Sequence, residues 1–166
     1  MPASPSTINY VLSQANVHYT PTGGSQFHMG NCTRFIYTPT VDKLDHFSRM
    51  APVRVKDLSV LRQISATIQL TLEEVTFENL SLFFQSDVNT SGAIHGMTDT
   101  SQTGVLTLAG TNSVGNQLNF TGKVSFTPSG DFDFLKEDWT EILLTADVLL
   151  DAGSYGVITI DEGVTA

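Results

Sequence analysis

The sequence predicts a mainly β protein: a β-sandwich or small barrel of two packed, largely antiparallel sheets, with one flanking α-helix and a long extended arm. Apolar residues recur at every second position across 64–72, 118–126 and 142–150, which is the period of a strand with one buried face. Clusters of Gly, Pro, Asp and Ser punctuate the intervals between strand candidates, and a single stretch carries a helical period. With 166 residues the chain fits one domain. A compact chain of this length buries about 70% of the surface its unfolded form exposes, enough for one core.

The clearest strand is 64–72. Ile64, Ala66, Ile68, Leu70 and Leu72 define its core face, and Ser65, Thr67, Gln69 and Thr71 a wet, uncharged one. Segment 118–126 alternates as strictly, with Gly122 on the inner side and Asn119, Thr121, Lys123 and Ser125 outside. In 142–150 the even positions are apolar and Leu143 and Leu149 add apolar surface on the other face, as in a strand covered on both sides. Shorter strands are expected at 15–20, 33–38, 105–109 and 155–160, separated by turns at 21–24, 128–131 and 151–153.

The helix is expected over 76–86. Thr76 is placed to cap it, and Glu78 sits at the positive end of its dipole. Phe77, Leu80 and Phe84 then share one apolar face, which predicts a helix laid across a sheet. Residues 87–100 read as a polar loop. The segment 39–57 has no sustained period, contains Pro39 and Pro52 and carries Lys43, Arg49, Arg54 and Lys56. Structureless loops of this length are usually functional, so it is expected to be an extended arm. Residues 1–13, rich in Pro and Ser at their start, form a second, N-terminal arm.

Composition narrows the function. Charged residues are 15% of the chain, well below the usual quarter, and neutral polar residues take their place. Such a surface suits a protein packed against copies of itself. The net charge is −9 and unevenly spread: residues 1–62 hold six bases against three acids, and 63–166 two bases against fourteen acids. A basic arm and an acidic body attract a neighbour head to tail. Binding to phosphates needs a net basic face, which argues against a nucleic-acid reader. No apolar run is long enough for a membrane span, and the first residues lack the features of a signal peptide, so synthesis in the cytoplasm is expected.

Chemistry-bearing patterns are sparse. Cys32 is the one cysteine, which excludes an internal disulfide and a multi-thiolate metal site. His18, His28, His46 and His95 lack metal-ligand spacing, and no glycine-rich loop leads from a strand into a helix with a lysine. No serine elbow is present. Asp131, Asp133, Glu137 and Asp138 lack the regular spacing of a calcium loop and read as solvated acids. The expectation is a non-enzymatic protein without catalytic residues, cofactor or metal.

One resemblance gives this reading a form. The stretch Gly30-Asn31 through Pro39, then Lys43-Leu44-Asp45-His46-Phe47-Ser48, Arg54-Val55-Lys56-Asp57, and Leu72-Glu73-Glu74 leading to Glu78-Asn79-Leu80 resembles the major tail tube proteins of long-tailed bacteriophages, the siphophages. The likeness runs over about residues 14–88, and the C-terminal half matches only loosely. Cys32 and Met50-Ala51-Pro52 depart from the pattern. The resemblance implies a structural virion protein, made in the host cytoplasm. Six copies would form a ring, and rings would stack head to tail into a tube that conducts DNA into the host without binding it specifically. Its partners would be further copies of itself and the tail proteins at the tube ends. On that reading Lys43, Arg49, Arg54 and Lys56 are the inter-ring contact candidates. Ser65, Thr67, Gln69 and Thr71 are the lumen-lining candidates, with the face of Asn119, Thr121 and Ser125 as the alternative lining. A carbohydrate-binding or adhesive β-sandwich module is the competing function; it needs grooved aromatics, and Trp139 is the one tryptophan.

Overall fold

A computed structural model of the chain describes residues 11, 14–50, 52–88, 92–111 and 115–164, with only the backbone described over 162–164. The expected N-terminal arm, 1–13, lies outside these residues apart from Val11. Among the described residues the chain is mainly β with one helix, and its sheet is antiparallel.

The strands are β1 (Ala15–Pro21), β2 (Phe27–His28), β3 (Cys32–Ser48), β4 (Val55–Leu72), β5 (Thr103–Gly110), β6 (Gly115–Pro128), β7 (Ile142–Val148) and β8 (Val157–Val164), with α1 (Phe77–Phe83) between β4 and β5. They form a single open sheet in the order β2-β1-β5-β6-β7-β4-β3, with β8 also paired to β6. Two packed sheets were expected. The physical reason for one is β6, a strand of 14 residues that takes two partners along one edge. β8 pairs with 115–121, β7 with 124–128, and β5 holds the opposite edge across 120–125. The sheet therefore splits into two limbs at Gly122. A Cβ on Gly122 would lie 2.7 Å from the Phe120 ring and 3.0 Å from the Gly156 backbone, so the split needs a glycine there.

The sheet also rolls. The rings of Phe35 and Tyr37, on edge strand β3, both sit 5.8 Å from the ring of Phe120 on central strand β6. Tyr37 Oη donates to the Tyr155 carbonyl at 2.9 Å. The concave side encloses the core, where Tyr19, Ile68, Leu70, Leu72, Leu106, Phe126 and Leu144 are all buried. Alternation predicts β4 well: Ala66 to Leu72 are buried at even positions, and the odd positions face out.

Helix α1 is shorter than the expected 76–86, and its buried face is rotated. Thr76 caps it as expected, its Oγ1 accepting from the Asn79 amide at 3.2 Å. Asn79, Ser81, Leu82 and Phe83 are the buried positions, whereas Phe77, Leu80 and Phe84 are half-buried. A polar residue leads the buried face because Asn79 Nδ2 donates to the carbonyls of Met29 and Glu74, at 3.0 and 2.9 Å. Those bonds satisfy its buried amide nitrogen, whereas its Oδ1 is buried without a hydrogen-bond partner among the described residues. The residues Gly30-Asn31, Leu72-Glu73-Glu74 and Glu78-Asn79 thus meet at one junction, where Glu74 Oε1 also accepts from the Asn31 amide.

Candidate functional site

The segment 39–57 is not a structureless arm. β3 and β4 pair along nearly their whole lengths, from Cys32↔Leu72 to Ser48↔Val55. β4 pairs with β7 only over 66–72. The rest stands beyond the body as a two-stranded hairpin of roughly ten residues per strand, a reach of about 33 Å. Pro39 fits because β3 is an edge strand, where a missing backbone donor interrupts no inner ladder.

This hairpin is apolar on both faces. Val41, Leu44, Phe47, Met50, Val53, Val55, Leu58, Val60, Leu61 and Ile64 are all exposed. Val60 and Leu61 are consecutive strand residues, so they point to opposite sides. A two-stranded hairpin is marginally stable by itself in water, and apolar patches of this extent mark interaction surfaces. Cross-strand pairs hold the register: Lys56 to Asp45 at 2.7 Å, His46 to Asp57 at 2.7 Å and, more loosely, Arg62 to Asp42 at 3.8 Å. The Lys56 ammonium, helped by the Ser59 hydroxyl, holds the Asp45 carboxyl below the usual carboxylate range.

All four basic candidates fall on this hairpin, in two kinds of place. Lys43 and Lys56 lie along its strands, and Lys56 is already paired within the chain. Arg49 and Arg54 flank the turn, beside Met50, which is 98% exposed. Among the described residues these two arginines form no ion pair.

The two lining candidates prove to be parts of one face. Strand register joins Thr38, Thr67, Asp147, Ser125 and Thr103 in a row across β3, β4, β7, β6 and β5. The next row runs Ile36, Gln69, Thr145, Thr127. Ser65, Thr67, Gln69 and Thr71 therefore share the convex side of the sheet with Asn119, Thr121, Lys123 and Ser125. Arg34, opposite Thr71, and Lys123 bring positive charges to it, and Asp147 and Asp161 negative ones.

Two further features escaped sequence reasoning. The open edge of the roll leaves an apolar cleft of about 470 Å³ lined by Phe35, Leu108, Leu118 and Ile158. At the end of β4 away from the hairpin turn, Glu73 and Val75 face Glu137, Asp138 and Trp139 across a second cleft of about 640 Å³. The signal for this one was the run from Phe132 to Trp139. Phe134, Leu135 and Trp139 are exposed amid acids, where a solvated turn would carry few large apolar groups.

Among the described residues the titratable side chains lie in separate settings. Burial pushes the Cys32 thiol up, away from the reactive thiolate, although it half-opens to the apolar cleft. Burial also raises the Tyr19 phenol, and Asp99 adds to the shift. His18 and His28 meet ring edge to face at 4.7 Å. Among the described residues no group of three or more His, Cys, Asp or Glu side chains is arranged to hold a metal ion, and no helix is long and apolar enough to cross a membrane.

Fold and surface together define an open-sheet β protein that presents an apolar hairpin outside its core. The chain belongs to the family described as protein of unknown function UCP028589, whose model matches residues 12–95. That span takes in β1 to α1, and so the whole hairpin and the junction at its base. No curated protein matches the chain.

Proposed function

We propose that this protein is a structural subunit that polymerises into the tail tube of a long-tailed bacteriophage. The projecting hairpin carries the reading: a two-stranded ribbon with Leu, Val, Ile and Phe exposed on both faces is at best marginally stable in water until a neighbour covers it. Six copies close into a ring, and the hairpins bridge each ring to the next. A contact that adds translation to rotation builds a filament rather than a closed oligomer. Once neighbours cover its open edges, the two limbs of the sheet act as the two layers of a β-sandwich or small barrel.

The convex face supplies the channel lining. Its Ser, Thr, Asn and Gln side chains stay hydrated, and its cations, Arg34 and Lys123, are offset by Asp147 and Asp161. With fourteen acids in 63–166, a ring presents DNA phosphates with a repulsive or neutral field, so the genome slides without sticking. No chemistry is performed; the work is mechanical and electrostatic, in the virion.

Negative-stain micrographs of the purified protein test the reading. Rings or tubes are expected for the wild type, and folded monomers for a variant in which 41–64 is replaced by a short turn. Wild-type protein that stays monomeric at high concentration, or a hairpin-less variant that builds normal tubes, overturns it. Exposed Trp139 is the feature an adhesive module would use, so glycan binding by the monomer would move the assignment there.

A further inference from the structure

The hairpin turn needs a seat on the next subunit, and the chain's own surface offers one of complementary character. At the tip, Arg49 and Arg54 flank Met50 and Val53, with no acid between residues 46 and 56. At the other end of β4, Glu73, Glu137 and Asp138 surround Val75 and Trp139, and Leu135 lies two residues before Glu137 in the same loop. Leu135 is 90% and Trp139 85% exposed, so large apolar groups stand in water at both ends.

Geometry makes the two ends successive rather than mutual. β4 is 18 residues long, so tip and cleft lie about 60 Å apart within one chain, too far to touch. The loop carrying Glu137 to Trp139 joins β6 to β7, and β7 begins at Ile142, paired to Leu72 at the end of β4 farthest from the tip. The cleft therefore opens at the end of the body opposite the tip. A tip that finds this cleft must find it on another copy displaced along the hairpin axis.

We infer that the tip of one subunit docks in the Glu73–Val75–Glu137–Asp138–Trp139 cleft of the subunit stacked above or below it, an inference that rests on the tube reading and names its acceptor. Met50 and Val53 pack on Trp139 and Val75, and the guanidinium groups of Arg49 and Arg54 meet the carboxylates of Glu137, Asp138 and Glu73. Guanidinium is the cation suited to this, since it forks onto carboxylates and stacks on an indole face. Lys136, whose Nζ donates to the Trp139 carbonyl at 2.8 Å, offsets one of the three carboxylates and leaves the cleft net acidic.

Reciprocal charge reversal tests the pairing. Arg49→Glu with Arg54→Glu reverses the tip; Glu137→Lys with Asp138→Lys reverses the cleft. All four positions are exposed, so circular dichroism and melting should match the wild type. Each pair alone should raise the critical concentration for tube growth about tenfold or more, and the chain carrying all four changes should recover most of it. Cleft reversal that leaves growth unchanged, or a fourfold variant no better than the singly reversed chains, overturns the inference while tube formation stands. A wild type that forms no tubes overturns the parent reading instead, and this one with it.

Discussion

Replacing Leu44, Leu58, Val60 and Leu61 by Thr strips apolar surface from both faces of the hairpin while keeping a residue suited to strands. These side chains are between 50% and 63% exposed in the single subunit. Burying an apolar side chain of this size fully is worth about 1.5–3 kcal/mol, so covering its remaining exposed half is worth about 1 kcal/mol. Losing four such contributions weakens each subunit contact by about 4 kcal/mol, close to a thousandfold in association constant. Folding of the monomer should barely respond, because surface changes away from a core stay within about 0.5 kcal/mol each. Sedimentation velocity reads the first quantity and chemical denaturation the second. Unchanged assembly would refute the idea that the hairpin's apolar faces drive the contact. A monomer several kcal/mol less stable would show instead that the hairpin belongs to the folding core.

The rotated helix face sets a second test. Leu82→Ala, at a fully buried site, should cost about 3–5 kcal/mol in chemical denaturation, and Leu80→Ala, half-buried, clearly less; the reverse order would refute the observed face. Thr76→Ala should cost about 1 kcal/mol through the lost cap. Ser65→Lys, Thr67→Lys and Gln69→Lys combined leave the concave face untouched, so folding should survive; virions carrying them should eject DNA more slowly, and a normal ejection rate would remove this face from the channel. Asp45 sets a pH dependence. Its folded carboxyl is depressed by Lys56 and Ser59, with a smaller contribution from Lys43, so its support of the hairpin is complete above the ordinary Asp range near pH 4 and is lost as pH falls through the folded value. Amide exchange near residues 43–46 and 56–60 should quicken on that descent, and Asp45→Asn should remove the pH dependence attributable to this pairing.

Legibility followed the regularity of the ladders. The inner parts of β4, β6 and β7 were readable because one face meets the core and alternation survives intact. The outer hairpin was not, although it holds the longest strands. Its ladder shifts register between Asp42 and Lys43 and between His46 and Phe47, and each shift resets the period-two pattern. Both faces are also apolar, so nothing distinguishes inside from outside in the sequence. The helix face was misread because hydrophobicity alone selects Phe77, Leu80 and Phe84, while the buried position of Asn79 is fixed by carbonyls brought from β2's loop and the end of β4. The basic candidates all fall on one element, but their separation into strand and tip positions needed the pairing. The identity of the two polar faces likewise needed strand order, which periodicity does not carry.

A ribbon of two strands with no third layer is the part of a chain that opens most readily. Straightening such a segment costs about 1–2 kcal/mol of backbone entropy per residue ordered. Two free subunits that meet must each meet that cost while offering the other a seat that is itself unsettled. In the proposed tube, a finished end would present seats already held by the ring behind them, so one arrival would order one ribbon. Growth from a formed end is thereby favoured over the birth of new ends, and subunits accumulate in solution until a template appears. On the proposed reading, tail length would then be left to whatever supplies the template and caps the far end, and the subunit itself would need no ruler.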